Sequence, residues 1–287
     1  MEFKDIKTVA VIGAGTMGQG IAQVCAQAGY STLLFDLSPN LSLKAIDLIV
    51  KNLNIAVEKG KLSVDDSERI QKRIKIVTHL HDVKADVIIE AVVEKLNIKQ
   101  KLFQELEIIN QGKALLATNT SSISVTQIAA VLKNPANCVG LHFFNPAHVM
   151  KLVEIVSGES TDSKCVDVLN DFSKKLGKIS VVAKDSPGFI VNRVARHYYL
   201  ESLKLLEQEI TDVASIDKLL RSAGFKMGPF ELMDLIGIDI NLAVTTSVYE
   251  GFDKAEKFRP NRIQKQKVED GCLGRKTGKG FYEYAKN

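Results

Sequence analysis

The sequence predicts an α/β fold, a doubly wound and mainly parallel sheet, followed by an all-helical C-terminal domain. Two observations carry this. Up to about residue 186, short apolar runs alternate with longer segments of helical period, the pattern of strands covered on both faces by helices. After "KDSPGF" (184–189) the runs cease, and only helical patterns follow as far as about Gly271. The boundary is therefore placed at 186, giving domains 1–186 and 187–287.

Taken in order, "TVAVIG" (8–13) and "STLLFD" (31–36) read as strands flanking a helix from about Met17 to Ala28, which Gly29 terminates. Further strands are expected at "DVIIEAV" (86–92), "ALLAT" (114–118), "CVGLHFF" (138–144), "LVEIV" (152–156) and "ISVVA" (179–183). In the second domain a long helix spans 189–208, with Ser186 and Pro187 as its cap and first-turn residues. Helices at 212–223, 228–236 and 239–250 follow, punctuated by Gly224, Gly237 and Gly251. These helices carry more apolar residues than so small a domain needs, which predicts a homodimer through them.

Composition narrows the function. The chain has 287 residues, 45% of them hydrophobic, enough for two unequal domains. No apolar run approaches the roughly 18 residues of a membrane span, and the first residues lack the pattern of a secretory signal. The four cysteines, Cys25, Cys138, Cys165 and Cys272, are widely spaced. They read as reduced thiols in a cytoplasmic protein, not as a disulfide frame or a metal site. A net charge of +4 without a basic stripe argues against nucleic acid and suits a small anionic ligand.

The chemistry begins at "VIGAGTMGQGIAQ", where Gly13-Ala14-Gly15-Thr16-Met17-Gly18 fits G-x-G-x-x-G. Because it follows a strand and opens a helix, it reads as a dinucleotide turn with the pyrophosphate at the helix N-terminus. Asp36 ends the second strand, placed to accept from the adenosine ribose hydroxyls. No arginine accompanies it at Leu37 or Ser38, so NAD is favoured over NADP. The second glycine-rich stretch, "LGRKTGKGF" (273–281), fails the spacing of a phosphate loop and reads as a basic turn.

A nicotinamide site needs a group that exchanges a proton near neutrality, and histidine suits it. Among His79, His81, His142, His148 and His197, only His142 lies near the C-terminal end of an expected central strand. Glu154 sits in the next apolar strand, where a lone carboxylate is costly. As partner to His142 it would orient the ring and stabilise its cation. "ATNTSSIS" (117–124) adds hydroxyls at another strand end. There Ser124 and Gln127 read as a capping box, leaving Ser121 for substrate. Asn192 interrupts the apolar start of the long helix and is either solvated or turned toward the site.

These motifs, with "IEAVVEKLNIK", "TNTSS", "GLHFFNPAHVMKLVEIV", "KDSPGFIVNR", "MGPFELMDLIG" and "LGRKTGKGFY", run in order from residue 8 to 282. Together they resemble the NAD-dependent 3-hydroxyacyl-CoA dehydrogenases, and within them the short bacterial 3-hydroxybutyryl-CoA form. The resemblance implies a Rossmann-type NAD domain, a helical dimerisation domain, and a substrate cleft between the two. It implies His142 as general base with Glu154 as its partner, and Ser121 and Asn192 as holders of the acyl-CoA thioester. It also implies Glu94, Lys99, Ser121 and Asn145 as cofactor contacts, and Asn52 and Lys59 as coenzyme A contacts, although the lysines of that segment, "VKNLNIAVEKGK", equally suit a solvated face.

Two departures bear on acyl-chain preference: His148 and His197 stand where the family commonly has proline. Arg196 is read as an ordinary surface arginine, or as a group favouring an acyl chain that ends in a carboxylate, as in 3-hydroxyadipyl-CoA. The rival readings are a relative acting on a free hydroxy or sugar acid, and a non-enzymatic NAD-binding structural protein.

Overall fold

The computed structural model describes residues 2–285, which fall into two compact units, one ending at Asp185 and the next starting at Ser186. In the first unit β1 (Thr8–Ile12), α1 (Thr16–Gln27), β2 (Ser31–Phe35), α2 (Pro39–Glu58), α3 (Val64–Arg73) and β3 (Ile74–Val77) form one half. The other half comprises β4 (Val87–Glu90), α4 (Leu96–Ile109), β5 (Leu115–Thr118), α5 (Val125–Ala129), β6 (Cys138–Phe143), β7 (Leu152–Ser157), α6 (Ser163–Lys175) and β8 (Ile179–Lys184).

The eight strands form one sheet in the order β3-β2-β1-β4-β5-β6-β7-β8. Every neighbouring pair is parallel except β6 and β7. The connection between those two (144–151) is too short for the crossover that parallel pairing requires, so the chain returns antiparallel. Strand order reverses between β1 and β4, and open α/β sheets bind ligands in the crevice at such a point. Val9, Val11, Val87, Ile89, Val139 and Leu141 are wholly buried beneath the helices. Each such side chain contributes about 1.5–3 kcal/mol of burial.

Sequence reading misses β3. Its four residues, I-K-I-V, follow α3 without any glycine or proline, and it lies at the sheet edge only half covered. Periodicity in so short a run is not separable from the end of a helix.

The second unit contains α7 (Val191–Glu207), α8 (Val213–Ser222), α9 (Pro229–Ile236), α10 (Ile238–Gly251) and α11 (Arg262–Glu269). Its core gathers Tyr199, Leu203, Ile216, Phe230, Met233 and Ile238. The expected opening of the long helix is corrected. Ser186 and Pro187 do not cap it, because the Phe189 amide closes a turn on the Ser186 carbonyl at 2.9 Å and the helix begins only at Val191. Gly188 and Phe189 both take positive φ there (74° and 49°), which ends any helical path from Ser186. Also unexpected is α11, whose charged sequence RIQKQKVE lacks an apolar stripe; its fully buried residue is Gln264. Among the described residues no single helix is long and apolar enough to cross a membrane.

Candidate active site

The glycine turn closes over the end of β4. A Cβ on Gly13, whose φ is 101°, would meet the Ala91 carbonyl oxygen at 2.6 Å, and one on Gly18 would fall 1.7 Å from the Gly13 carbonyl oxygen. Gly15 has open space at that position, the face a pyrophosphate would approach. The Asp36 carboxylate accepts from the Ala14 amide through Oδ2 and from the Ser38 amide through Oδ1, each at 2.8 Å. Each oxygen keeps a lone pair for another donor. A cavity of about 590 Å³ opens here, lined by Gly13, Gly15, Asp36, Leu37, Val92 and Ile98 among others. This turn, carboxylate and cavity fit the adenosine half of a dinucleotide.

Beside it, at the ends of β4 and β5, lies a buried ionic network. Glu90, wholly buried, accepts from Lys99 Nζ at 2.6 Å and from the Val92 amide at 2.7 Å through Oε1. Its Oε2 accepts from the Thr118 hydroxyl at 2.7 Å. Lys99 also reaches Glu94 Oε2 at 3.1 Å. Glu94 Oε1 in turn accepts from the Thr120 hydroxyl (2.5 Å) and from the amides of Ser121 (3.0 Å) and Ser122 (3.2 Å). Burial alone would raise the Glu94 carboxyl, but the Lys99 ammonium and the Thr120 hydroxyl outweigh it and hold it below the usual range. Lys99, named above as a cofactor contact, is 1% exposed and spends its charge on these two carboxylates.

His142 and Glu154 lie directly opposite each other in the antiparallel β6–β7 pair. The ring Nδ1 and Glu154 Oε2 are 2.8 Å apart. His142 is 6% exposed and Glu154 not at all, so both are withdrawn from water. A carboxylate at Nδ1 makes that nitrogen the donor, leaving Nε2 as the atom that takes up or returns a proton. The ring packs on Phe144, with centroids 4.5 Å apart. At the adjacent strand end, the Phe143 amide donates to Asn119 Oδ1 at 2.8 Å. Asn145 follows as an exposed residue at the rim of this edge.

The other named residues are more dispersed. Ser124 caps α5 by accepting from the Gln127 amide, and its hydroxyl donates to Asp185 Oδ2 at 2.6 Å. Asn52 lies on α2 and donates to Gln23 Oε1 at 3.3 Å, while Lys59 is exposed at the end of that helix. His148 is half-buried, and desolvation, then the Lys178 charge, lowers its pKa.

In the second unit, Asn192 is half-buried in the first turn of α7. His197 is exposed and rests on the Phe258 ring. The reading of Arg196 as a surface residue is corrected: it is 3% exposed. Its Nε donates to the Asn192 carbonyl, and its Nη1 to the Asn241 carbonyl (3.0 Å) and the Thr245 hydroxyl (2.9 Å). Burial pushes its pKa down to about 10. A residue half a turn off the exposed face of an amphipathic helix carries no mark of burial in its own letter.

Sequence reading also misses three buried carboxylates. Glu90 ends an apolar strand, the signal that exposed Glu154. Asp217 accepts from the Phe230 and Glu231 amides at the start of α9, and from the Tyr282 hydroxyl. Asp234 accepts from the Phe281 and Tyr282 amides and the Tyr284 hydroxyl, each at 2.9 Å. That clasp explains "LGRKTGKGF": Cβ atoms on Gly274 and Gly280 would strike Asp234 at 2.3 and 2.1 Å.

Comparison with known proteins bears on this geometry. The family described as "3-hydroxyacyl-CoA dehydrogenase, NAD binding domain" matches residues 8–186, and that described as "3-hydroxyacyl-CoA dehydrogenase, C-terminal domain" matches 188–284. The chain is 49% identical over 98% of its length to a 3-hydroxyadipyl-CoA dehydrogenase of Escherichia coli, spanning 59% of that longer relative. It is 39% identical over 97% of its length to a 3-hydroxybutyryl-CoA dehydrogenase of Bradyrhizobium diazoefficiens, covering 96% of it. The crystal structure of (S)-3-hydroxybutyryl-CoA dehydrogenase from Ralstonia eutropha superposes with a TM-score of 0.95 at 37% identity, over 98% of this chain and 100% of that one. With both domains matched in order, and a dinucleotide turn in the first of them, the chain belongs to the 3-hydroxyacyl-CoA dehydrogenase family.

Proposed function

We propose that the protein interconverts (S)-3-hydroxyacyl-CoA and 3-oxoacyl-CoA with NAD, 3-hydroxybutyryl-CoA being the first substrate to test. The observation that carries this reading is the 2.8 Å contact between His142 Nδ1 and Glu154, both buried, near the C-terminal end of β6. Bound NAD⁺ supplies the hydride acceptor. His142 Nε2 removes the proton of the 3-hydroxyl, and Glu154 stabilises the resulting imidazolium; in reduction the ring gives that proton back. Ser121 and Asn192 are assigned to the substrate oxygen and thioester on their motifs, and Asn52 and Lys59 to coenzyme A. Gly13 to Gly18 and Asp36 hold the cofactor, with Glu94 and Asn145 beside it. Lys99 is assigned as the ion that fixes Glu94.

NADH consumption with acetoacetyl-CoA, compared with free acetoacetate, tests the reading. Rapid turnover of the thioester alone is expected, and equal rates would favour a free-acid dehydrogenase. The 49% identity to a 3-hydroxyadipyl-CoA dehydrogenase favours a second reading, in which the acyl chain ends in a carboxylate. A rate profile across straight-chain and dicarboxylic 3-hydroxyacyl-CoA thioesters separates the two.

Asp36→Ala is expected to weaken NADH binding by about 10- to 100-fold, the loss of one to two charge-assisted hydrogen bonds. An affinity within twofold of wild type, read from the NADH fluorescence titration, would remove Asp36 from the site.

The protein is further proposed to form a homodimer through the helical unit, which leaves Val194, Leu219, Phe225 and Ile240 exposed. A monomer by sedimentation at micromolar concentration would contradict this. A cytoplasmic location is supported by four free cysteines, of which Cys25 and Cys138 are buried.

A further inference from the structure

We propose that the Glu90–Lys99–Glu94 triad sets the relative affinity of the site for oxidised and reduced cofactor, an inference that rests on the NAD reading. Glu90 receives three donors, the Lys99 ammonium, the Val92 amide and the Thr118 hydroxyl, and is therefore held as a carboxylate. Glu94 receives the same ammonium together with a hydroxyl and two amides, and is also ionised. Two carboxylates thus share one cation, leaving a net charge of −1. Glu90 and Lys99 are shut off from water, so dissolved salt does little to screen them.

The position of that charge gives it meaning. Glu90, the last residue of β4, pairs with Thr118 of β5, which pairs with Gly140 of β6, two residues before His142, so the charge lies two strand spacings, about 10 Å, from the strand whose imidazole must meet the nicotinamide end of the cofactor. Through Glu94 the triad also holds the backbone of Ser121 and Ser122. The nicotinamide ring carries a positive charge when oxidised and none when reduced. A fixed negative charge at this edge therefore binds NAD⁺ more tightly than the same shape without charge, and leaves NADH nearly unaffected. Stability alone does not account for the arrangement, because a buried ion pair is rarely worth more than an apolar pair of equal volume.

Glu90→Gln tests this. The amide keeps the shape and one acceptor, and the Thr118 hydroxyl turns to accept from the new NH₂. Dissociation constants for NADH by fluorescence, and for NAD⁺ by competition against it, give the readout on the full chain without turnover. The ratio Kd(NAD⁺)/Kd(NADH) is expected to rise roughly three- to tenfold, the effect of one charge at about 10 Å in a partly screened site. Glu94→Gln removes the same charge from the less buried member and is expected to move the ratio the same way, so it decides the matter if Glu90→Gln does not fold. Glu90→Asp keeps the charge and is expected to hold the ratio near wild type. Both constants moving in parallel in the glutamine variants, or an unchanged ratio, would overturn the proposal. Wild-type protein that binds neither form of the cofactor would instead overturn the NAD reading beneath it.

Discussion

Replacing His142 with Gln is expected to lower turnover roughly 10³-fold while leaving the NADH dissociation constant within twofold of wild type. General acid–base catalysis contributes about 10²- to 10⁴-fold when the group is well placed, and here it is placed by a strand. Glutamine at 142 still presents an N–H to Glu154, so the buried carboxylate keeps a hydrogen-bond donor. What it lacks is a second ring nitrogen able to take up and return a proton. Stopped-flow reduction of acetoacetyl-CoA gives the rate, and NADH fluorescence gives the affinity. Turnover within tenfold of wild type would dismiss His142 as the proton carrier. A parallel collapse of NADH binding would instead make it part of the cofactor's support. Glu154→Gln is expected to slow the reaction less, because the ring remains and only its orientation and cation lose support.

The largest effect on stability is expected at Asp234. Its two oxygens anchor the backbone of Phe281 and Tyr282 and the Tyr284 hydroxyl, and it is 1% exposed. Asp234→Ala strips three charge-assisted hydrogen bonds at once and leaves two amides without acceptors. With about 1.5–3 kcal/mol for a hydrogen bond to a charged group, and incomplete additivity, a loss of about 4 kcal/mol is expected. Asp234→Asn keeps the shape and is expected to lose less. Guanidinium titration followed by far-ultraviolet circular dichroism measures it. A change below about 1 kcal/mol would mean that the C-terminal segment contributes little to the helical unit.

Much of this was legible in the letters, for identifiable reasons. A glycine turn between a strand and a helix is a local feature, and its geometry follows from three residues that admit no Cβ or need none. The His142–Glu154 pair was legible because burial of a carboxylate in an apolar strand demands a partner. The same reasoning applied to Glu90, at the end of "VIIE", would have found the triad. Other features lack a local signal. Four residues of half-covered edge strand resemble the tail of the preceding helix, and α11 has no apolar stripe because its buried residue is an amide. Nor does a single letter say that Arg196 lies against Asn241 and Thr245, which follow it by 45 and 49 positions.

The return of β7 beside β6 also governs how this molecule can diverge. Connections at the surface ordinarily absorb insertions, yet 144–151 acts as a ruler. Because side chains alternate faces along a strand, a slip of one residue in the β6–β7 register would turn Glu154 away from the imidazole and bring Val153 or Ile155 in its place. Variation in chain length is therefore constrained at this hairpin, and new substrate preferences must arise by exchanging side chains on a spacer of fixed size.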